Sequence, residues 1–348
     1  MEIAEDHTRN RPKSWVDYLQ RVLMRAPVPW WLPLVGIVLA LITLEVILLN
    51  TAEGGTLRNP APVAVMTLYA ALVPYLFGLL FFLDRSASVA IERLRPVIRE
   101  SSDWRVLRAK ISNMPFWPAL FSTLVGLLFF ILVRIFAGVP GDPILSGTTE
   151  TTRWIRLFEG VLLWPLTSVS IYHAIRQLGI IDKIYTHHVE ISLLNQSPLY
   201  GLARVSSYTS IGLIIPTSLV LLAVTGLTRD PLSLGVAISV TGLSLFIFLA
   251  PLYKLHLVLD TEKDRRLFVN SQSIEGQVQK LHSQGDSFTY EYIDQIHRAI
   301  ETFNLERDII HSSPTWPWAP GSIKGTTAAL LLPTVIWIIQ QVLHSVFP

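Results

Sequence analysis

The hydrophobic positions of this chain fall in long unbroken blocks, not in short alternations. Six stretches of 19 to 25 residues contain no Asp, Glu, Lys or Arg, and a seventh is interrupted only by Glu159. A helix needs roughly 17–25 mainly apolar residues to cross a bilayer. The blocks therefore predict membrane-spanning helices over 31–50, 63–83, 116–136, 157–175, 206–227, 231–253 and 325–347. At a rise of about 1.5 Å per residue, each reaches across a hydrocarbon core of about 30 Å, with slight thinning or interfacial residues at the shorter ones. The expected fold class is an all-α integral membrane protein, a seven-transmembrane-helix bundle.

The pattern changes between spans six and seven. Leu267, Ile274, Val278 and Leu281 are spaced seven, four and three apart. Ile293, Ile296, Ile300, Phe303 and Ile310 follow at three, four, three and seven. These are coiled-coil-like seams. Ser283-Gln284-Gly285-Asp286-Ser287 between them reads as a turn. Two antiparallel helices are expected, the first continuous with span six. They are expected to pack mainly on each other, with some oligomer contact or docking of a cytoplasmic protein partner. The expected organisation is an N-terminal segment at 1–29, a six-span bundle at 30–253, a helical hairpin at 254–322 and a seventh span at 323–348.

Charge gives these elements a direction. Of 28 Lys and Arg residues, only Arg58, Arg134, Arg153, Arg156 and Arg229 fall on one side of the seven-span arrangement, and 23 fall on the other. The positive-inside rule then puts the N-terminus in the cytoplasm and the C-terminus outside. A false extra span would scramble the alternation, so the same bias supports the number seven. Glu2, Glu5 and Asp6 open the chain, and no small-residue cleavage site follows a short apolar core, so the first block reads as a retained span. Charged residues are 16% of the chain, against about 25% in soluble domains. Mean hydropathy is +0.45. The expected location is the cell (plasma) membrane, multi-pass, with the lipid bilayer as partner. Trp30, Trp31, Trp117 and Trp154 sit at block ends as interfacial anchors, and Trp316 and Trp318 are read as anchors or as a recognition element. The basic stretch 84–114 carries Ile91, Leu94, Val97 and Ile98 among Arg85, Arg93, Arg95 and Arg99. It reads either as an amphipathic segment on the anionic inner leaflet or simply as a positive-inside loop.

Inside the blocks, Pro74, Pro165, Pro216 and Pro333 lie near the middles of spans two, four, five and seven. Each removes a backbone hydrogen bond, and the freed carbonyl needs a partner in hydrocarbon. Tyr75, Thr167, Ser168, Thr217, Ser218 and Thr334 sit beside these breaks. Broken helices bind substrate in many transporters, so these hydroxyls are candidates for a midplane path; local backbone repair is the competing account. Thr327, Thr334 and Gln341 are seven apart, with Lys324 and Ser345 at the ends of the same face of span seven. This stripe is expected to line a path or to join helices, in both cases away from lipid. Glu45, Arg134 and Glu159 are intramembrane charges near the outer ends of spans one, three and four, and need partners or water. Gly36 with Ala40, and Gly235 with Ser239 and Gly242, read as close-packing positions.

The chain has no cysteine, which excludes disulfides, thiolate metal sites and cysteine nucleophiles. His187 and His188 are adjacent and point in different directions on a helix, so they make a poor metal pair, with or without Glu190. His173, His256, His282, His297 and His311 give no deducible site, and no metal is expected. There is no His-Glu-x-x-His, Gly-x-Ser-x-Gly, Walker or dinucleotide motif, so no catalytic residue, no cofactor and no enzyme activity are expected. The membrane rule accounts for the basic residues, so no nucleic acid is expected. The first reading is a channel or carrier for an ion or small polar solute, with a homo-oligomer implied if one polar helix lines a pore. The alternative is a receptor or scaffold acting through 254–322; an embedded enzyme has least support. In topology the expected chain resembles the insect odorant-receptor channels, which also have seven spans, an inside N-terminus, helices extended into the cytoplasm before the last span and a pore on that span. No motif carries the likeness, so it is an analogy of architecture.

Overall fold

The computed structural model describes residues 14–24, 29, 31–53, 60–99, 102–137, 150–189, 193, 196–223, 231–283, 289–316 and 322–346. The described residues are almost all helical and form no strand, with an isolated antiparallel bridge from Ile98 to Val189. The helices are α1 (Trp15–Met24), α2 (Trp31–Glu53), α3 (Pro60–Leu94), α4 (Trp104–Ser112), α5 (Phe116–Ala137), α6 (Glu150–Lys183), α7 (Tyr200–Ala223), α8 (Pro231–Ser283), α9 (Tyr290–Ser312) and α10 (Ser322–Val346). A π-turn, Ile184–His188, closes α6.

Among the described residues, five helical stretches are long and apolar enough to cross a membrane: Thr67–Val97, Phe116–Ile135, Tyr200–Leu222, Ala237–Ser283 and Gly325–Val342. Trp31–Ile47 is a shorter apolar helix. The chain is a multi-pass, membrane-embedded helical bundle. The block at 157–175 lies within α6 but is not among the five, and it carries buried Glu159, Ser170 and His173 with half-buried Ser168.

α3 and α7 are the central pair. α3 packs on α2, α4, α6 and α7; α7 packs on α3, α8 and α10; α5 packs on α6, and α8 pairs with α9. Lipid-facing side chains such as Phe121, Leu128 and Ile135 on α5 stay exposed, as bilayer solvent allows. The largest buried apolar cluster lies beyond the apolar blocks, at what we term the basic end. There Ile91, Leu94, Ile111, Ile184, Leu202 and Leu259 join α3, α4, α6, α7 and α8, with Ile310 of α9 added. Each such side chain stabilises by about 1.5–3 kcal/mol where the alternative is water.

Close approach uses other glycines than Gly36, Gly235 and Gly242: a Cβ built at any of those three meets nothing within 4 Å. At Gly126 a Cβ would come within 2.6 Å of the Trp164 carbonyl oxygen and 2.8 Å of Pro165 Cα. Gly126 therefore lets α5 cross directly over the proline turn of α6. The sequence motif of paired small residues misidentified the contact because the partner helix, not the spacing, decides it.

α8 runs without interruption for 53 residues, from the apolar block into the polar stretch. Leu267, Ile274, Leu281, Ile300 and Phe303 are half-buried, Ile296 and Ile310 are buried, and Val278 and Ile293 remain exposed. Asn270 Nδ2 donates to the Phe303 carbonyl at 3.0 Å and to Glu306 at 3.1 Å, fixing the register of α9 on α8. The expected turn at 283–287 lies outside the described residues, apart from Ser283 at the end of α8.

Candidate functional site

Four of the six expected midplane hydroxyls are spent on backbone. Thr167 donates to the Leu163 carbonyl, Thr217 to Leu213 and Ser218 to Ile214, each one turn back on its own helix. Ser168 meets Ser122 of α5 at 3.1 Å. Tyr75 donates across to the Gly212 carbonyl at 3.0 Å. Residue 212 is four before Pro216, so Tyr75 supplies the hydrogen bond that the proline cannot make. The four helices that carry Pro165, Pro74, Pro216 and Pro333 do neighbour one another in the order α6, α3, α7, α10.

The span-seven stripe is placed differently from expectation. Thr327, Thr334 and Gln341 are exposed on the outer surface of the single chain, while Thr326, Pro333 and Gln340, one residue earlier, are buried. Gln340 Nε2 donates to the Leu221 carbonyl at 2.7 Å, satisfying one of the last four carbonyls of α7. That cap fixes the rotation of α10 and turns the expected stripe outwards, toward lipid or a second chain. The side chain of Lys324 lies outside the described residues. Glu45 and Glu159 are buried and Arg134 is half-buried. Phe130 packs on Gly160, which brings the next turn of α5, bearing Arg134, near the level of Glu159.

Charged groups from several helices converge at the basic end instead. His173 of α6 is fully buried, and its Nε2 lies 2.9 Å from Asp84 Oδ1 of α3. Its ring nitrogens make no aligned hydrogen bond among the described residues. Asp84 also accepts from Gln177 Nε2 at 3.4 Å and from Gln20 Nε2 of α1 at 3.3 Å. Arg176, beside Gln177, donates to the Lys110 carbonyl. Burial pushes the Arg176 guanidinium below its usual range, against the pull of Tyr172, Asp84 and Asp17.

α1 closes over this cluster. Ser14 and Asp17 form a reciprocal capping box: Asp17 N–H donates to Ser14 Oγ at 3.1 Å and Ser14 N–H to Asp17 Oδ2 at 3.3 Å. Asp17 Oδ2 also accepts from Met114 N–H at 3.1 Å, and Trp15 Nε1 donates to Thr123 of α5 at 3.0 Å. Val16 is fully buried among Leu80, Met114, Ala119 and Val169. Burial, and after it the charge on Asp84, raises the Asp17 carboxyl above its usual 3.8.

In the sequence 1–29 reads as an undifferentiated segment, and Asp84 is not singled out. The Ser-x-x-Asp box at 14–17 was the signal for α1. The meeting of Asp84 with His173 had none, because it depends on how α3 and α6 pack.

The remaining histidines serve locally. His188 Nδ1 lies 2.8 Å from Ser102 Oγ, and burial followed by the charges of His187, Lys110 and Arg99 lowers its pKa. His187 is exposed, and Glu190 lies outside the described residues. His256 stacks on Trp316 at 4.3 Å, so Trp316 contacts α8 as well as standing near the start of α10. Among the described residues no group of three or more His, Asp or Glu is placed to hold a metal ion. No protein family matches the chain, and no curated protein or solved structure matches it, so the resemblance in topology gains no support and the site must be read from its own geometry.

Proposed function

We propose that the protein is a seven-span membrane carrier or channel for an ion or small polar solute, with its N-terminus in the cytoplasm and the Asp84–His173 pair as its proton-responsive group. The observation that carries this reading is His173, fully buried 2.9 Å from Asp84 beneath α1. Ionisable side chains are costly within a bundle and characteristically mark ion or proton pathways. An imidazole facing a carboxylate is a donor–acceptor pair along which a proton can be passed. The division of Lys and Arg, 23 against five, supports the orientation. In this arrangement α1 caps the cytoplasmic mouth.

The test is proton movement in liposomes containing the full-length protein and a trapped pH-sensitive dye. Imposed gradients of Na+, K+ and Cl− should drive dye-reported flux in the wild type. Asp84→Asn and His173→Gln should abolish it while helicity and thermal midpoint stay close to wild type. Protein-containing and empty liposomes that behave alike under every gradient would sink the proposal. A second reading, a scaffold acting through α8 and α9, draws on Leu305 and Ile309, which are 64% and 50% exposed on α9.

A further inference from the structure

A groove of about 550 Å3 runs between α2, α3 and α7. Buried Pro74 and Gly212 form part of its wall, together with Ala71 and Gly78, and exposed Trp31 and Tyr208 stand on its rim. The wall is almost wholly apolar, and the Tyr75 hydroxyl that borders it is already committed to the Gly212 carbonyl. Along α3 the groove extends from Ala71 to Phe82, roughly 16 Å at ~1.5 Å per residue, which is about half a hydrocarbon core of ~30 Å. It is thus one leaflet deep, and its Trp31, Phe82 and Tyr208 end lies toward the basic end. The volume falls in the range of small-ligand sites, roughly 300–1,000 Å3.

Both walls continue into cations. Arg85 follows Phe82 by three residues on α3, and Arg204 precedes Tyr208 by four on α7, so each extends the groove-facing side of its helix by one turn. Both are exposed, and neither has an ion-pair partner among the described residues. An apolar slot one leaflet deep, with two arginines at its headgroup end, is complementary to a single class of molecule. We propose that the groove holds one acyl chain of an anionic phospholipid from the leaflet at the basic end, with its phosphate between Arg85 and Arg204. Arginine suits this role through its planar fork of donors.

The experiment is native mass spectrometry of the full-length protein in detergent, titrated with phosphatidylglycerol or phosphatidylcholine of matched chains. The first phosphatidylglycerol should bind roughly tenfold or more tightly than the first phosphatidylcholine, as two basic residues at the headgroup allow. Arg85→Gln with Arg204→Gln should erase that preference, while Arg105→Gln with Arg108→Gln on α4 should leave it intact. Ala71→Leu, which fills the groove without touching a charge, should weaken the first phosphatidylglycerol by about the same factor. Equal binding of the two lipids by the wild type overturns the proposal. So does a preference that survives the Arg85/Arg204 change or is lost equally with the Arg105/Arg108 change. If the arginine variant does not fold, unaltered first-lipid binding by Ala71→Leu overturns it independently.

Discussion

At mid-depth, Tyr75, Thr167, Thr217 and Ser218 each donate a hydroxyl proton to a backbone carbonyl. At the basic end, Asp17, Asp84, His173 and Arg176 are arranged around one another, and His173 keeps both ring nitrogens without an aligned hydrogen bond. In hydrocarbon the Gly212 carbonyl freed by Pro216 must be satisfied from nearby, and Tyr75 does that; the other three hydroxyls are each occupied by a carbonyl one turn back on their own helix. At the boundary Asp17 and Arg176 also hold backbone groups, at Met114 and Lys110. His173 holds none: it is fully buried against Asp84 with no aligned hydrogen bond among the described residues, which is why the candidate site belongs there and not at the midplane.

The comparison can be broken or sharpened by substitution, with stability read from thermal or denaturant unfolding in detergent. The largest effect is expected at Gly126→Leu, because a side chain there meets the Trp164 carbonyl and Pro165 backbone. A loss of about 3 kcal/mol is expected from such overpacking. Gly36→Ala, with nothing within 4 Å of the new carbon, should be neutral or should stabilise by up to about 1 kcal/mol through helix propensity.

Next comes Tyr75→Phe, which leaves the Gly212 carbonyl without its donor and should cost about 1–3 kcal/mol. In a Pro216→Ala background the helix regains its own N–H donor, and the same change should cost far less; a double-mutant cycle measures the difference. If the cycle shows no coupling, the repair account of the midplane hydroxyls is wrong. Asp84→Asn should lower the unfolding midpoint less than Tyr75→Phe does. The reverse order would make Asp84 a structural residue and dissolve the contrast.

Smaller effects concern pH. The raised pKa of Asp17 means that the folded chain binds this proton more readily than the unfolded one. Stability from this group is therefore greatest below pH 3.8 and declines as pH rises through the window up to its higher folded value. Asp17→Asn should remove that slope while leaving a carbonyl oxygen for the Met114 N–H. Smallest is Glu262 on α8. Arg265 first, and then Arg266, holds its carboxyl at about 2, against the opposing effect of burial. Its contribution is present above the usual 4.5 and is lost as pH falls through about 2. Solvent screening keeps it near 0.5 kcal/mol or below. Amide hydrogen exchange along α8 in wild type and Glu262→Gln should show only local loosening.

Much of the helical plan was legible because apolar block length is a one-dimensional property. The block at 116–136 matches α5 closely, the described part of the block at 206–227 lies within α7, and α8 continues past residue 253. α1 was legible in principle, through Ser14 and Asp17, but ten amphipathic residues carry no block to announce them. Before α7, residues 197–199 form a turn, and the helix begins at Tyr200. Rotations of helices about their own axes were not legible at all. A stripe seven residues apart marks a face, but whether Thr334 or Pro333 points inward depends on the Gln340 cap to α7. The Asp84–His173 pairing likewise joins residues 89 apart in sequence whose separation carries no period.

The unbroken course of α8 has a mechanical consequence. From Pro251, the one proline inside it, to Ser283 the helix has no internal joint. At ~1.5 Å per residue that segment is roughly 48 Å long, so every degree of tilt at the proline sweeps its far tip by about 0.8 Å. A shift too small to disturb packing beside α7 is thus enlarged into a displacement of ångströms at the tip, and α9, tied on by Asn270 and Lys263, travels with it.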